Sequence, residues 1–172
     1  MSGRVVIRTL LVVAVALLAQ MTVLLDIRVS GASPEVMYLI GIAAGIVGGP
    51  VDGAVVGFVA GIAADLLSPT PLGMTALVGT LVGFGVGAVS GGVAREVRGL
   101  PTLLALGASA IAVMLYAVLG KLLGEPQYLH VDLVAVVAVV AIANAVLAGP
   151  AVRLMRWALE PSADEPAPSR RR

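Results

Sequence analysis

Glycine stands at every fourth position from Gly41 to Gly61: Gly41, Gly45, Gly49, Gly53, Gly57 and Gly61. A second ladder follows at Gly79, Gly83, Gly87 and Gly91. Four-residue spacing places such residues on one face of a helix. In water that face would be a liability, because each interior glycine costs about 1 kcal/mol relative to alanine. In lipid it is useful. The bilayer offers no hydrophobic drive for helices to associate, so close backbone approach through small residues takes over. The ladders therefore predict helices packed backbone to backbone in a membrane. Gly41, Gly45, Gly53, Gly57, Gly61, Gly79, Gly83 and Gly87 are the candidate packing positions.

Composition agrees. Of the 172 residues, 59% are hydrophobic and 12% charged, whereas soluble domains are about 45–50% apolar and about 25% charged. With no cysteine, disulfides, thiol catalysis and thiolate metal sites are excluded. A lone histidine argues against a His-based metal centre. Aromatics make up 3% of the chain, too few for a base-stacking surface, and no basic patch is interleaved with them. Nucleic acid is not an expected partner; the lipid bilayer is. No cofactor is expected.

The apolar segments are Val5–Leu25, Val36–Val47, Ala54–Leu67, Leu72–Ala94, Leu100–Leu123 and Val131–Val152. Crossing a hydrocarbon core of about 30 Å takes roughly 20 residues, so four of these are long enough. The second and third are short, and Gly48-Gly49-Pro50 between them carries strong turn chemistry. Val5–Leu25 is longer than the h-region of a signal peptide and is expected to be an uncleaved first span. Six crossings with the N-terminus inside would put nine of the eleven Lys and Arg residues on the inner side. Only Arg28 and Lys121 would lie outside, as the positive-inside rule requires. Four crossings plus a re-entrant hairpin would preserve the same parity. The 33 residues from Glu35 to Leu67 favour two short or tilted helices. The expected architecture is an all-α integral membrane protein, a compact bundle of about six transmembrane helices with the second and third short. Residues 1–159 would form the polytopic domain. Residues 160–172, rich in proline and charge, would form a disordered cytoplasmic tail.

Polar residues inside apolar segments are the candidate sites. Asp65 ends the third segment, where a helix C-terminus disfavours an acid. Leu66, Leu67, Ser68, Pro69, Thr70, Pro71, Leu72 and Gly73 follow. The expectation is that Asp65 accepts hydrogen bonds from free backbone N–H groups around Gly73–Thr75, so that Asp65, Pro71 and Gly73 form a structural corner. Asp52 is expected to N-cap the third helix, and Glu35 to occupy the first turn of the second. Gln20 and Asn144 lie within spans and are expected to hydrogen-bond across helices. His130 and Asp132 read as a capping or surface pair, Lys121 as a snorkelling side chain, and Trp157 as an interfacial anchor.

No hydrolase elbow, P-loop or dinucleotide fingerprint stands in the required context. Gly83-Phe84-Gly85 lies inside an apolar helix and reads as packing. No catalytic, cofactor-binding or metal-binding residue is assigned.

The run Gly49-Pro50, Gly53, Gly57-Phe58, Gly61, Asp65-Leu66-Leu67 and Pro71-Leu72-Gly73 resembles the central signature of the MreD family of rod shape-determining membrane proteins. Chain length, the six-span plan, inside termini and a glutamine in the outer half of the first helix are also similar. The specific motif covers residues 49–73. The resemblance implies a bacterial inner-membrane protein, multi-pass with both termini cytoplasmic, and not an enzyme. It implies an MreC-like partner and, directly or through it, a RodA-type glycosyltransferase with its transpeptidase. Together these would control lateral peptidoglycan synthesis and rod shape. It also implies a fold related to the S components of energy-coupling-factor vitamin transporters, which makes a substrate-binding S component the alternative function. An S component should present convergent polar and aromatic groups to an outward-facing cavity. The outer half of this chain offers chiefly Tyr116 and Tyr128.

Overall fold

The computed structural model describes residues 3–24, 35–67, 72–91, 99–124 and 133–160. Within them the chain forms six α-helices: α1 (Gly3–Ala19), α2 (Val36–Gly48), α3 (Pro50–Asp65), α4 (Met74–Ser90), α5 (Leu100–Leu122) and α6 (Leu133–Leu159). No strand occurs among these residues. A π-helical turn, Gln20–Leu24, continues α1. Pro71, Arg28, Arg95, Arg98, Tyr128, His130, Asp132 and the expected tail from residue 161 onward lie outside the described residues.

Among the described residues, three helices are long and apolar enough to cross a membrane: Gly3–Thr22 with the start of the π turn, Leu100–Leu122 and Leu133–Leu159. This is one fewer than expected. α4 has 17 helical residues, about 26 Å at 1.5 Å per residue, because the helix is bounded by left-handed glycines, Gly73 (φ 94°) and Gly91 (φ 43°). Conversely, α6 runs beyond the expected Val152 and carries Arg153, Arg156 and Trp157 as helical residues. Pro150 lies inside it, a placement that membrane helices accommodate. α3 also begins earlier than its apolar run, with Pro50 at the first helical position. There its fixed φ suits the helix and no internal N–H bond is lost.

α2 is the centre of the bundle. Its 13 residues span about 20 Å, too short to cross the hydrocarbon core alone. Every residue from Val36 to Val47 is buried, as a helix that is apolar all round requires. α3, α4 and α6 pack most extensively around it, with α5 and α1 completing the enclosure. Ile42, Ala43 and Ala44 are inaccessible to solvent, and Tyr38 is 1% exposed.

Directions follow from individual contacts. Val36 N–H donates to Gln20 Oε1 at 3.1 Å, so α2 runs back along α1. Gly49 (φ 90°) reverses the chain between α2 and α3. Gly87, near the end of α4, lies against Gly49 and Pro50, and Arg8 of α1 meets Trp157 of α6. One end of the bundle thus gathers Arg4, Arg8, Arg153 and Arg156. Lys121, the remaining described cation, lies at the far end of α5.

Candidate functional site

The two glycine ladders close on each other. Gly41 of α2, Gly57 of α3 and Gly79 of α4 form one layer. A Cβ added to Gly41 would lie 2.8 Å from Gly57 Cα and 3.5 Å from the Gly79 carbonyl oxygen. One added to Gly79 would lie 2.6 Å from the Gly57 carbonyl oxygen. One layer further along, Gly45, Gly53, Gly83 and Gly87 interlock. A Cβ on Gly45 would stand 2.5 Å from the Gly83 oxygen, and one on Gly53 would strike that same carbonyl. Gly61 lies against the backbone of Thr75 and Ala76. All eight candidate packing glycines therefore face backbone, which cannot move aside as a flexible side chain could. Ser90 reinforces the layer, its single hydroxyl proton shared between the carbonyls of Gly87 at 3.2 Å and Gly45 at 3.4 Å.

At the opposite end of α3, the Asp65 side chain turns into the bundle and is 1% exposed. Its carboxylate accepts from the N–H groups of Gly73 (2.9 Å), Thr75 (3.1 Å) and Ala76 (3.2 Å). A helix start leaves its first N–H groups without intrahelical partners, and the residue capping α4 is Gly73, which has no side chain to offer. Asp65 supplies from the preceding helix what a capping side chain would otherwise supply. The position that is unfavourable for α3's own dipole is favourable at the N-terminus of α4. The corner thus brings Asp65 and Gly73 together; Pro71 lies outside the described residues.

Two intramembrane amides tie the outer helices to α2. Gln20 caps the N–H of Val36. Asn144, fully buried near the middle of α6, donates through Nδ2 to Ser109 Oγ of α5 at 2.9 Å and to the Glu35 carbonyl at 3.2 Å. Two smaller expectations are corrected. Asp52 is not the N-cap of α3: Gly49 holds that position and Asp52 sits in the first turn, with its side chain over Gly48. Glu35 precedes the first turn of α2 and makes no side-chain capping bond; its carbonyl is what the fold uses.

Composition and spacing did not single out Ser109, Tyr38 or the side chain of Thr75, whose backbone N–H alone was expected to matter. Tyr38 lies within electrostatic reach of Glu35, Asp65, Tyr116 and Thr75, and its hydroxyl turns toward Thr75 without closing a hydrogen bond of good geometry. Together with Asn144 these residues make a buried polar level beside the N-terminus of α2. A tyrosine in an otherwise aliphatic segment was the available signal. Among the described residues, no group of three or more His, Cys, Asp or Glu is placed to hold a metal.

The outward faces carry large apolar side chains: Ile7, Val51, Leu72, Val89, Leu103, Ile111, Leu122, Val134 and Val146 are each more than 60% exposed. Unlike the ladder positions, Gly85 and Gly107 have open space where a Cβ would be. They line a shallow groove between α4 and α5 with Leu81, Val89, Leu103 and Ile111.

A family model described as rod shape-determining protein MreD matches residues 2–157. No curated protein and no solved structure matches the chain.

Proposed function

The chain belongs to the MreD family of rod shape-determining membrane proteins, and from that premise we propose that it is a non-enzymatic scaffold of the bacterial elongation machinery. In this reading it sits in the inner membrane with both termini cytoplasmic. It holds an MreC-like protein and, through it or directly, a RodA-type glycosyltransferase with its transpeptidase, so that lateral peptidoglycan synthesis is localised. The family match over residues 2–157 carries the proposal.

Two further observations support it. Arg4, Arg8, Arg153 and Arg156 gather at one end of the bundle, and a cytoplasmic assignment of that end satisfies the positive-inside rule. The glycine faces are also occupied by internal contacts. They give the protein a rigid centre and leave partner binding to the exposed apolar faces, among them the Gly85–Gly107 groove, where no neighbouring atom lies within 4 Å of an added Cβ. Membrane helices associate through such close-approach surfaces.

The test is affinity purification of the tagged protein from its own cells in gentle detergent or native lipid particles. The expected outcome is a stoichiometric complex with the MreC-like protein, weakened by Gly107→Leu at unchanged thermal stability. Recovery of the folded protein with no such partner would sink the scaffold reading, and recovery with a bound vitamin would replace it with the S-component alternative.

A further inference from the structure

A second groove, of about 360 Å³, runs between α1, α2 and α6 and is lined by apolar side chains including Leu11, Val15, Ala19, Leu39, Leu147 and Leu154. Trp157 closes one end of it. Leu11, Val15, Leu154 and Trp157 are 47–55% exposed, so the groove faces the surroundings of the bundle. Along α6 it extends from Leu147 to Trp157, ten residues or about 15 Å of helix. That is half of a hydrocarbon core of about 30 Å. A groove of this length matches the acyl chains of one leaflet, and the charge at its Trp157 end decides the occupant.

The Trp157 end supplies the headgroup chemistry. The Arg8 guanidinium carbon lies 5.1 Å from the indole centroid, and Nη1 reaches the Trp157 carbonyl only at 3.5 Å. The cation–π contact and the single long bond to the Trp157 carbonyl leave other guanidinium N–H donors for phosphate oxygens. Arg4 lies one turn further along the same face of α1, and Arg153 one turn before Trp157 on α6. Among the described residues, the acids at this end are Asp52 and Glu160, against Arg4, Arg8, Arg153 and Arg156. The local balance is cationic.

We infer that this groove is a binding site for an anionic phospholipid of the arginine-rich leaflet, with an acyl chain along Leu11–Leu154 and its phosphate at Arg8 and Trp157.

Trp157 is the only tryptophan of the chain, so its fluorescence reads this site alone. The protein is reconstituted into phosphatidylcholine bilayers containing a fixed small fraction of brominated-chain lipid, either phosphatidylglycerol or phosphatidylcholine. The expected result is an apparent affinity for the brominated anionic lipid about fivefold above that for the zwitterionic one, the contribution of roughly one well-placed basic side chain. Arg8→Gln should abolish that preference at unchanged melting temperature. Arg153→Gln, a second variant on an exposed position, should reduce it by a smaller factor, and Val15→Phe should lower quenching by both lipids by filling the groove. Equal quenching by the two lipids overturns the inference, as does a preference that survives both arginine variants. Shielding of Trp157 from both lipids in the complex purified from cells also overturns it, because a protein segment would then cover the groove.

Discussion

Helices α2, α3 and α4 meet through glycine, whereas the buried positions of the neighbouring helices α5 and α6 are mostly alanine. In the first region, backbone faces backbone: Gly41 on Gly57, Gly45 and Gly53 on Gly83, Gly87 on Gly49. In the second, Ala105, Ala108 and Ala112 of α5 and Ala141, Ala145 and Ala148 of α6 are buried. The Asn144–Ser109 hydrogen bond supplies the polar link. The difference is a single methyl group per position, yet it changes what each region tolerates. The glycine region has no compressible layer, so any added atom must displace a main chain. The alanine region already contains a layer of side chains and draws part of its specificity from a removable hydrogen bond.

The largest effect should come from breaking the glycine region. Gly57→Leu should leave no monodisperse folded protein by size-exclusion chromatography in mild detergent. Ala54→Leu, at a half-buried neighbouring position, should still fold, because overpacking that can relax costs only about 1–3 kcal/mol. Equal behaviour of the two variants would remove the distinction between the regions.

Next comes the Asp65 corner, where Asp65→Asn replaces one accepting oxygen with a donor facing backbone N–H groups. Hydrogen bonds to a charged group are worth about 1.5–3 kcal/mol, and about 1 kcal/mol moves the midpoint of a chain this size by roughly 2–4 °C. The expected loss is about 3–12 °C in thermal unfolding, and an unchanged midpoint would show that the carboxylate does not hold the corner. In the alanine region, Asn144→Ala should cost about 0.6–1.7 kcal/mol, the range found for hydrogen bonds between membrane helices. A double-mutant cycle with Ser109→Ala should recover part of that cost; strict additivity would mean that the two side chains act independently. The smallest effect belongs to Gly107→Ala. The added Cβ meets open space, so the isolated protein should be unchanged or more stable by up to about 1 kcal/mol from helix propensity.

The glycine region was legible because its information is periodic: a four-residue spacing fixes a helix face regardless of what lies opposite. Asp65 was legible for a related reason, since an acid at the end of one helix is costly unless a nearby helix start needs it, and Gly73 marks that start. The alanine region was less legible. Alanine is an ordinary helix former, so its position carries little signal, and Ser109 gives no hint that it will meet a residue 35 positions later. Trp157 was placed at an interface from sequence and Arg8 was counted only among the inner-side charges; their contact across 149 positions is a product of tertiary packing. The length of α4 was overestimated because Leu72 and Ala94 continue its hydropathy beyond the glycines that bound the helix.

The complete enclosure of α2 has a consequence for how the protein is made. Val36–Gly48 is too short to be held across a bilayer by its own length, and its glycine face acquires its complement only when α4 has been synthesised. α1 can be released into lipid as soon as it leaves the ribosome, whereas α2 must wait for later parts of the chain before its place exists. The enclosure of α2 is therefore expected to be complete only after later helices are made, although α2 itself is synthesised early. A nascent chain arrested before residue 74 should leave Ile42 accessible to a lipid-soluble label, and extension past residue 159, when α4, α5 and α6 are all present, should protect it.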